Sequence, residues 1–437
     1  MLIVRKVVPD AVSPKGIPIL KGGMEMGALL WVGIDVSHRK NVVCALDAKG
    51  NRVGGRPTFA NTLPGTEQLE AWVVQQVEAT GSDTLLIGTE ATSFYDFHLM
   101  EHLAQSLRLT PYALTLYRLN ARKLRAFKKA LRDRPKRDPD DAFAIAMRLK
   151  MGDLPTPFRP QLRHLPLQRL TRFRAHTTQC LAREKSYFLT QLFLKFSAYN
   201  QIKPFSNTFG ATSQALLEEY LSTDQIIQTP VDQLFRFIVQ KGKNRFPDPE
   251  RVVEKIKQVA RESYRIRPAL AKSLQMVLNL SYNNIQALTT TIKTLDATIA
   301  DQMKGFSSTL TTIPGIGPVY AAGILAEIGD ITYFHGHPQL AKYAGLVWSQ
   351  HQSGDFVAEE TRLVKAANAY LRYYLVQAAN LVRLHEPGFN RFYQRKYHQT
   401  PKHKHKRALI LTARKLVRTI FAMEKNGTIY RPENQRN

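Results

Sequence analysis

Cysteine is scarce in this chain: Cys44 and Cys180 are the only two among 437 residues. Two thiols so far apart in sequence exclude a disulfide scaffold and a zinc site built from cysteine pairs. Long hydrophobic runs are also lacking, since the apolar stretch at residues 27–34 is well short of the ~18 residues that a membrane span requires. The sequence therefore predicts a cytoplasmic protein without a membrane anchor, a signal peptide or a structural zinc ion.

Acidic residues are in marked deficit. There are 35 Asp and Glu residues against 62 Lys and Arg, which gives a formal net charge of +27 and an isoelectric point near 10.0. Such a balance predicts polyanionic partners, and nucleic acid above all. The hydrophobic content of 44% excludes wholesale disorder, and the length predicts two to four domains at ~150 residues each.

Proline density and apolar periodicity divide the chain into five regions. The first 27 residues contain Pro9, Pro14 and Pro18 without apolar periodicity, which predicts a flexible leader. Four prolines between residues 154 and 167 would interrupt helix and sheet alike, so we expect a domain boundary there. The predicted regions are a leader (1–27), an α/β domain (28–153), a proline-rich linker (154–167), a helical coiled-coil domain (168–305) and a mainly helical domain with a basic tail (306–437).

The α/β domain begins with three strands in direct succession and continues with alternating helices and strands. The predicted strands span residues 29–36, 41–46, 52–59, 84–87 and 112–116, with a helix at 95–107. The order β-β-β-α-β-α-β-α is that of the ribonuclease H-like fold. We therefore predict this fold for the first domain, by analogy.

Four acids occupy positions that suit metal binding. Asp35 ends the first predicted strand and Glu90 the fourth, and pairing of these strands would bring the two carboxylates together. Asp138 precedes Pro139 at a helix start and Asp141 follows one turn later, so both can face one point. Hard oxygen ligands in this pattern predict a site for Mg²⁺ or Mn²⁺.

Plain helix capping is the alternative explanation for the two aspartates, because acids in a first turn also stabilise the helix dipole. Asp140 lies between them and is predicted to turn away. A register error of one residue would exchange its role with that of Asp138.

Two basic segments are candidates for nucleic-acid contact. Residues 118–137 contain ten Lys and Arg against one acid, and residues 391–418 contain ten and no acid. In the first, a basic stripe is backed by Leu124, Phe127 and Leu131, which predicts a docked helix rather than an ordinary solvated face. The predicted contacts are Arg118, Arg122, Arg125, Lys129 and Arg132, followed by Lys402, Lys404, Lys406 and Arg407.

Two further patterns lie in the helical regions. The first is a seam of aliphatic residues in steps of three, four or seven: Leu278, Ile285, Leu288, Ile292, Leu295 and Ile299. It predicts a coiled coil, and we favour self-association over packing inside one chain. The second is Pro-Gly-Ile-Gly-Pro at residues 314–318, which predicts a helix-hairpin-helix element. Gly315 and Gly317 would let backbone amides approach a phosphate, unless the segment is only a tight turn between packed helices.

These motifs together resemble the DEDD-type transposases of the insertion-sequence one-ten family, whose relatives include Piv and MooV-type DNA invertases. The resemblance is carried by GIDVS with VVCALD, by GTEATSFY, by KRDPDDAFAIA and by PGIGPVYAAGILAEIG, and covers about residues 28–395. It implies a RuvC-like nuclease domain with the tetrad Asp35, Glu90, Asp138 and Asp141. A structured guide RNA that pairs with target and donor DNA is also implied as a partner.

The same resemblance implies that Ser353, in the segment AGLVWSQHQSG, is a nucleophile. A simple Ser-Gly turn is the alternative, and Ser349 is the nearest rival. Trp348 and the pair Ala366-Ala367 depart from the usual family pattern, which bears on the geometry of this loop.

The sequence is compatible with three functions. The preferred one is a transposase that excises and inserts its own element through Ser353 and the metal tetrad, as a dimer or tetramer. The second is a metal-dependent Holliday-junction resolvase that uses water, and the third is a basic scaffold whose acids only cap helices. The sequence leaves open whether tetrad and serine meet within one chain or across subunits.

Overall fold

A computed structural model describes residues 28–91, 94–130, 138–160, 163–348, 352–353, 356–357, 363–364 and 367–432. The predicted leader, 1–27, lies outside the described residues. The chain divides into two compact units, Met1–Leu162 and Arg163–Asn437, and the division falls within residues 154–167.

Within its described residues, the N-terminal unit contains six strands and four helices. In chain order they are β1 (Ala28–Val36), β2 (Lys40–Leu46), β3 (Arg52–Val53), β4 (Thr58–Ala60), α1 (Leu63–Thr80), β5 (Ser82–Glu90), α2 (Phe97–Gln105), β6 (Ala113–Leu119), α3 (Ala121–Ala130) and α4 (Asp138–Lys150). The α/β class predicted for this part of the chain is confirmed.

The strands form one mixed sheet. Its order is β3-β2-β1-β5-β6, with β4 also paired to β2. β1 and β2 are antiparallel, whereas β1 is parallel to β5 and β5 to β6. The predicted third strand is split into β3 and β4, because Gly54 and Gly55 between them adopt positive φ angles of 67° and 73°. Ile34 pairs with Thr89, so the carboxyl ends of β1 and β5 lie side by side.

Alternation along the strands gives the sheet two buried faces. On one face, Val32 and Ile34 of β1 share a core with α1 and α2. On the other, Val42 of β2 packs against α4, and Leu119 of β6 packs against α3 and α4. Odd-numbered residues of β1 and even-numbered residues of β5 belong to the second face. Asp35 and Glu90 are therefore on the α4 side of the sheet.

The C-terminal unit is almost entirely helical. Its helices are α5 (Leu165–Lys195), α6 (Tyr199–Ile202), α7 (Ala211–Glu219), α8 (Thr223–Gln228), α9 (Val231–Gly242), α10 (Pro249–Glu262), α11 (Pro268–Met303), α12 (Pro318–Ile328), α13 (His337–Tyr343), α14 (Ala369–His385), α15 (Pro387–Gln399) and α16 (Lys404–Asn426), with short strands β7 (Gln352–Ser353) and β8 (Phe356–Val357) between α13 and α14. Across the described residues, none of the helices combines the length and apolarity needed to cross a membrane.

The predicted seam lies on α11 and meets α5 of the same chain. Its buried members, Leu278, Ile285, Leu295 and Ile299, belong to cores that α5 completes. Arg174 donates to Asp296 and Ser281 donates to Glu184 at 2.6 Å, which fixes the two helices antiparallel. Our preference for self-association through the seam is therefore wrong, because an apolar seam specifies a helical partner but not which chain supplies it.

A buried lysine joins three helices of this unit. Lys195, at the end of α5, is 1% exposed, and its ammonium donates to the Leu217 carbonyl at 2.7 Å and to Gln275. Burial lowers the pKa of Lys195 to about 7. A charged amine in such a site is costly even when hydrogen-bonded, so its protonation should be coupled to folding.

We expect stability to rise with pH between about 7 and 10.5. The unfolded chain keeps the Lys195 proton up to its ordinary pKa, whereas the folded chain loses it near 7, so raising the pH favours folding. At about 1.4 kcal/mol per pKa unit, the gain from pH 6 to pH 9 is roughly 2–3 kcal/mol. Denaturant unfolding at several pH values should show this slope in the wild type and in Lys293→Met, an exposed control on α11. An unchanged slope in Lys195→Met would contradict the assignment.

Candidate nuclease site and nucleic-acid surfaces

Gly33 allows α4 to lie directly on the sheet. A Cβ atom at this position would fall 2.2 Å from the Ala142 carbonyl oxygen and 2.4 Å from the Ala146 nitrogen, both in the backbone of α4. Only glycine permits so close an approach. The N-terminal turn of α4, which contains Asp141, is thereby held near the end of β1 that carries Asp35.

Glu90 and Asp141 converge on one cation. The ammonium of Lys128, on α3, donates to Glu90 Oε2 at 2.7 Å and lies 3.3 Å from Asp141 Oδ2. All three side chains are only 12–14% exposed. The strand end and the helix start predicted to meet do meet, and a partly buried positive charge lies between their carboxylates.

Asp35 is half-buried at the end of β1, paired through its backbone with Val42. Asp138 and Asp140 belong to the first turn of α4, but their side chains lie outside those described. Among the described side chains, no three His, Cys, Asp or Glu residues form a group that could hold a metal ion. The donor chemistry nevertheless fits one: two carboxylates already share a cation, and a hard divalent ion prefers such oxygens.

Gly33→Ala is expected to displace α4 and disable the site. The new methyl group meets backbone atoms that cannot rotate away, so the helix must shift, at a cost of about 1–3 kcal/mol. Gly88→Ala on β5 is the matched control, because the three atoms nearest to its Cβ would all belong to the flexible Leu149 side chain, the first at 3.0 Å. The unfolding temperature, and the rate of any metal-dependent reaction at this site, should fall much further for Gly33→Ala. Equal losses in the two variants would show that close packing at Gly33 is not special.

Arg118 is not on the basic helix, and this part of the prediction is wrong. Pairing with β5 extends β6 as far as Leu119, and α3 begins only at Ala121. Strand alternation turns Arg118 to the opposite face of the sheet, where its guanidinium binds the buried carboxylate of Asp96 at 2.6 and 2.8 Å. Thr89 donates to the same carboxylate at 3.1 Å. Asp96 therefore connects Arg118 of β6 to Thr89 of β5, the strand that ends at Glu90.

α3 otherwise has the amphipathic character predicted for it. Leu124 is buried and Phe127 packs with it against the sheet, while Arg122, Arg125 and Lys129 are exposed. Leu131 and Arg132 lie outside the described residues. The helix thus presents cations to solvent next to the carboxylates that its own Lys128 contacts.

The second basic segment comprises α15 and the start of α16. Lys402, Lys404 and Lys406 are exposed, and Arg407 is half-buried. His405 is hydrogen-bonded to the Tyr393 hydroxyl at 2.7 Å. Positive charge at the N-terminal end of a helix attracts anions, which is consistent with phosphate contact here.

The two glycines predicted to bind phosphate have different environments. Gly315 has a φ of 93°, and a Cβ there would lie 2.9 Å from backbone atoms of Leu381 and Val382 in α14. Its role is therefore close packing between helices, the alternative that the sequence left open. Gly317 has open space at its Cβ position and precedes α12, so its phosphate contact stays a prediction.

Ser353 lies in β7, and its backbone pairs with Phe356 of β8 in a short hairpin. Its side chain and Ser349 lie outside what the structure describes. The hairpin stands between α13 and α14.

Lys128 is a member of this carboxylate cluster that the sequence interpretation missed. A signal was available: Lys128 follows the buried Leu124 by four residues, so helical spacing places it on the core-facing side rather than on the basic stripe. No comparable signal marked the partner of Arg118, because Asp96 lies 22 residues away on a different element.

Comparison with known proteins links both units to mobile elements. A family described as Transposase IS116/IS110/IS902 matches residues 307–394, and a DEDD transposase family of the IS110 type matches residues 32–196. The IS116 insertion element protein of Streptomyces clavuligerus, a 44.8 kDa protein, is 24% identical over 92% of this chain and 96% of its own length.

Two shorter matches have descriptive names. The pilin gene-inverting protein of Moraxella bovis is 35% identical over 27% of this chain and 36% of its own length. The transposase for insertion sequence element IS1111A of Coxiella burnetii is 38% identical over 17% of this chain and 20% of its own length. Among solved structures, RuvC of T. thermophilus with a Holliday junction substrate covers 30% of this chain and 99% of its own at 10% identity, but with a TM-score of only 0.22.

Proposed function

Because the chain belongs to the IS116/IS110/IS902 family of transposases, we propose that it excises and inserts a mobile insertion-sequence element by cutting and rejoining DNA. The observation that carries the proposal is the convergence of Glu90 and Asp141 on one cation at the carboxyl edge of the sheet. Helix capping alone gives no reason for a strand-end glutamate to share a cation with a helix-start aspartate.

The N-terminal unit is the nuclease half of this proposal. Its order of antiparallel β2 and β1 followed by parallel β5 and β6 supports a ribonuclease H-like, RuvC-related fold. Asp35, Glu90, Asp138 and Asp141 would hold Mg²⁺ or Mn²⁺. The ion would polarise a DNA phosphate and offset the charge that develops on it.

Ser353 supplies the nucleophile in the proposed reaction. Its Oγ forms a bond to phosphorus as the P–O bond to the leaving strand breaks, the hydroxyl proton passes to solvent, and the leaving oxygen is protonated. The product is a phosphoserine link that keeps the energy of one phosphodiester bond, so attack by a new DNA hydroxyl can rejoin the strands and free the serine.

The exposed cations supply affinity for the nucleic acid. Arg122, Arg125 and Lys129 are exposed on α3, the helix whose Lys128 contacts the carboxylates, and Lys402, Lys404 and Lys406 are exposed in the second unit. Such contacts follow the phosphate backbone and do not read sequence. Choice of target would then fall to a structured guide RNA by base pairing, a division of labour known from RNA-guided nucleases. We further propose that a dimer or tetramer of this chain carries out the recombination in the cytoplasm.

The deciding experiment mixes the purified protein with labelled DNA junctions, Mg²⁺ and the element's own RNA, and resolves the products on a denaturing gel. A covalent protein–DNA band supports the transposase. Cleavage without such a band would favour a Holliday-junction resolvase that uses water. Binding of the nucleic acids without any DNA cleavage would exclude both enzymes and support the third function, a basic nucleic-acid scaffold.

A further inference from the structure

Backbone contacts join the two ends of the segment that contains Ser353, where it leaves α13 and returns to α14; we call these ends its base. The Val364 amide donates to the Val347 carbonyl at 3.0 Å, and Trp348 and Leu363 form an antiparallel bridge. Below this bridge, the Asn368 amide donates to the Tyr343 carbonyl at 2.8 Å. The two arms that lead to and from the β7–β8 hairpin therefore run side by side where they join α13 and α14.

Arg372, on the first turn of α14, connects both arms. Its Nε donates to the Ala344 carbonyl at 3.1 Å and its Nη2 to the Val364 carbonyl at 2.9 Å. Gly345 makes room for it, since a Cβ there would lie 2.1 Å from Nη2, and its φ of 68° also requires glycine. One planar guanidinium thus holds a carbonyl from each arm.

Asn368 makes the second connection. Its Oδ1 caps α14 by accepting from the Tyr370 and Leu371 amides at 3.1 and 3.0 Å. Its Nδ2 donates to Glu327 at 2.7 Å and to the Tyr343 hydroxyl at 3.1 Å. The arm that returns from the hairpin is thereby fastened to α12 and α13 as well as to α14.

Glu327 is a buried anion in the core of this unit. Its side chain is 0% exposed, and Arg172 of α5 binds it through two hydrogen bonds of 2.7 and 2.9 Å. Burial by itself lowers the pKa of Arg172, but hydrogen bonding and the charge of Glu327 outweigh it and raise the pKa. A paired, fully desolvated carboxylate is a rigid acceptor, because moving its partners would leave a buried charge unsatisfied.

We infer that Asn368 and Arg372 are positioning residues for Ser353: they fix the base of its hairpin to the helical core through Glu327 and the two arm carbonyls, so that the serine is presented at one place. This inference rests on the proposed role of Ser353 as the nucleophile. Neither side chain takes part in the chemistry. A loss of position of about 1 Å at a reacting group can cost a hundredfold in rate.

Asn368→Asp separates positioning from capping. The new carboxylate still caps α14, since aspartate is as good a cap as asparagine, but it opposes Glu327 instead of donating to it. We expect the rate of covalent DNA adduct formation to fall about 10- to 100-fold at pH 8, with the DNA dissociation constant unchanged within twofold. Lowering the pH should restore the rate, because the protonated carboxyl again donates to Glu327. Asn380→Asp, on the same helix, is the matched control: its oxygen only accepts from Arg383, and its rate should stay at the wild-type value.

A second readout does not depend on catalysis. Hydrogen exchange at the Val364 and Asn368 amides should accelerate at least about tenfold in Asn368→Asp and in Arg372→Ala, with α5 and α12 as protected as in the wild type. Arg372→Ala keeps Asn368 and its cap, so it tests the same role if the aspartate variant fails to fold.

The outcomes separate the two proposals. Wild-type adduct rates in both variants at every pH would refute the positioning role and leave the nucleophile standing. A wild-type protein that forms no adduct would refute the nucleophile, and the exchange experiment alone would then judge whether these residues fix the hairpin. Unchanged exchange at Val364 in both variants would refute that role as well.

Discussion

Replacing Glu90 by Gln or Asp141 by Asn is expected to abolish metal-dependent DNA strand cleavage. Each change keeps the size of the side chain but removes one of the two negative charges that converge on the Lys128 ammonium. An ion held by the remaining carboxylates would bind more weakly and stabilise the reacting phosphate less. A loss of several kcal/mol corresponds to at least about 10²- to 10³-fold in rate. Asp35→Asn should behave in the same way.

Binding is the control in that experiment. Affinity for DNA should keep its strong salt dependence in all three variants, because the exposed cations of α3 and of the C-terminal basic segment supply it. Asp140→Ala should cleave normally, since helical spacing turns residue 140 away from residue 141. Full activity of Glu90→Gln in Mg²⁺ would remove Glu90 from the metal site, and an inactive Asp140→Ala would shift the helical register by one residue.

Ser353→Ala is expected to eliminate the covalent protein–DNA adduct and, with it, strand exchange. No other group can supply the Oγ–phosphorus bond if Ser353 is the nucleophile, so the loss should be complete rather than graded. Adduct formation on labelled DNA in Mg²⁺, followed on a denaturing gel, measures it directly. DNA binding and the unfolding temperature should match the wild type, because removing one hydroxyl from a short hairpin strand costs little.

Ser349→Ala is the matched control for this prediction. It removes the same hydroxyl from the same segment four residues earlier, and it should leave the adduct intact. An adduct that persists in Ser353→Ala and vanishes in Ser349→Ala would reassign the nucleophile. Cleavage that persists in both single variants would make water the attacking group and the resolvase the better account.

Local sequence patterns were enough for most of the secondary structure of the N-terminal unit. β-Branched and apolar runs placed β1, β2 and β5, and the spacing of Leu124 and Phe127 identified the apolar side of α3. The same reasoning failed at Arg118, because the run of basic residues continues from the helix back into β6. Only the pairing of β6 with β5 as far as Glu90 decides where the strand ends.

What the sequence determined by itself is most of the order of strands and helices in the N-terminal unit, the apolar side of α3 and the acids at element ends: Asp35 and Glu90 close strands, and Asp141 opens a helix. It placed Ser353 in a loop, whereas the backbone of Ser353 lies in β7. Tertiary structure alone decided which faces meet. It brought together three pairs of residues that are distant in sequence: Lys128 and Glu90, 38 residues apart, Asn368 and Glu327, 41 residues apart, and Arg172 and Glu327, 155 residues apart. It also packed the apolar seam of α11 against α5. The physical reason is that periodicity records which side of an element avoids water, whereas the partner of that side is selected by packing and charge pairing among residues distant in sequence.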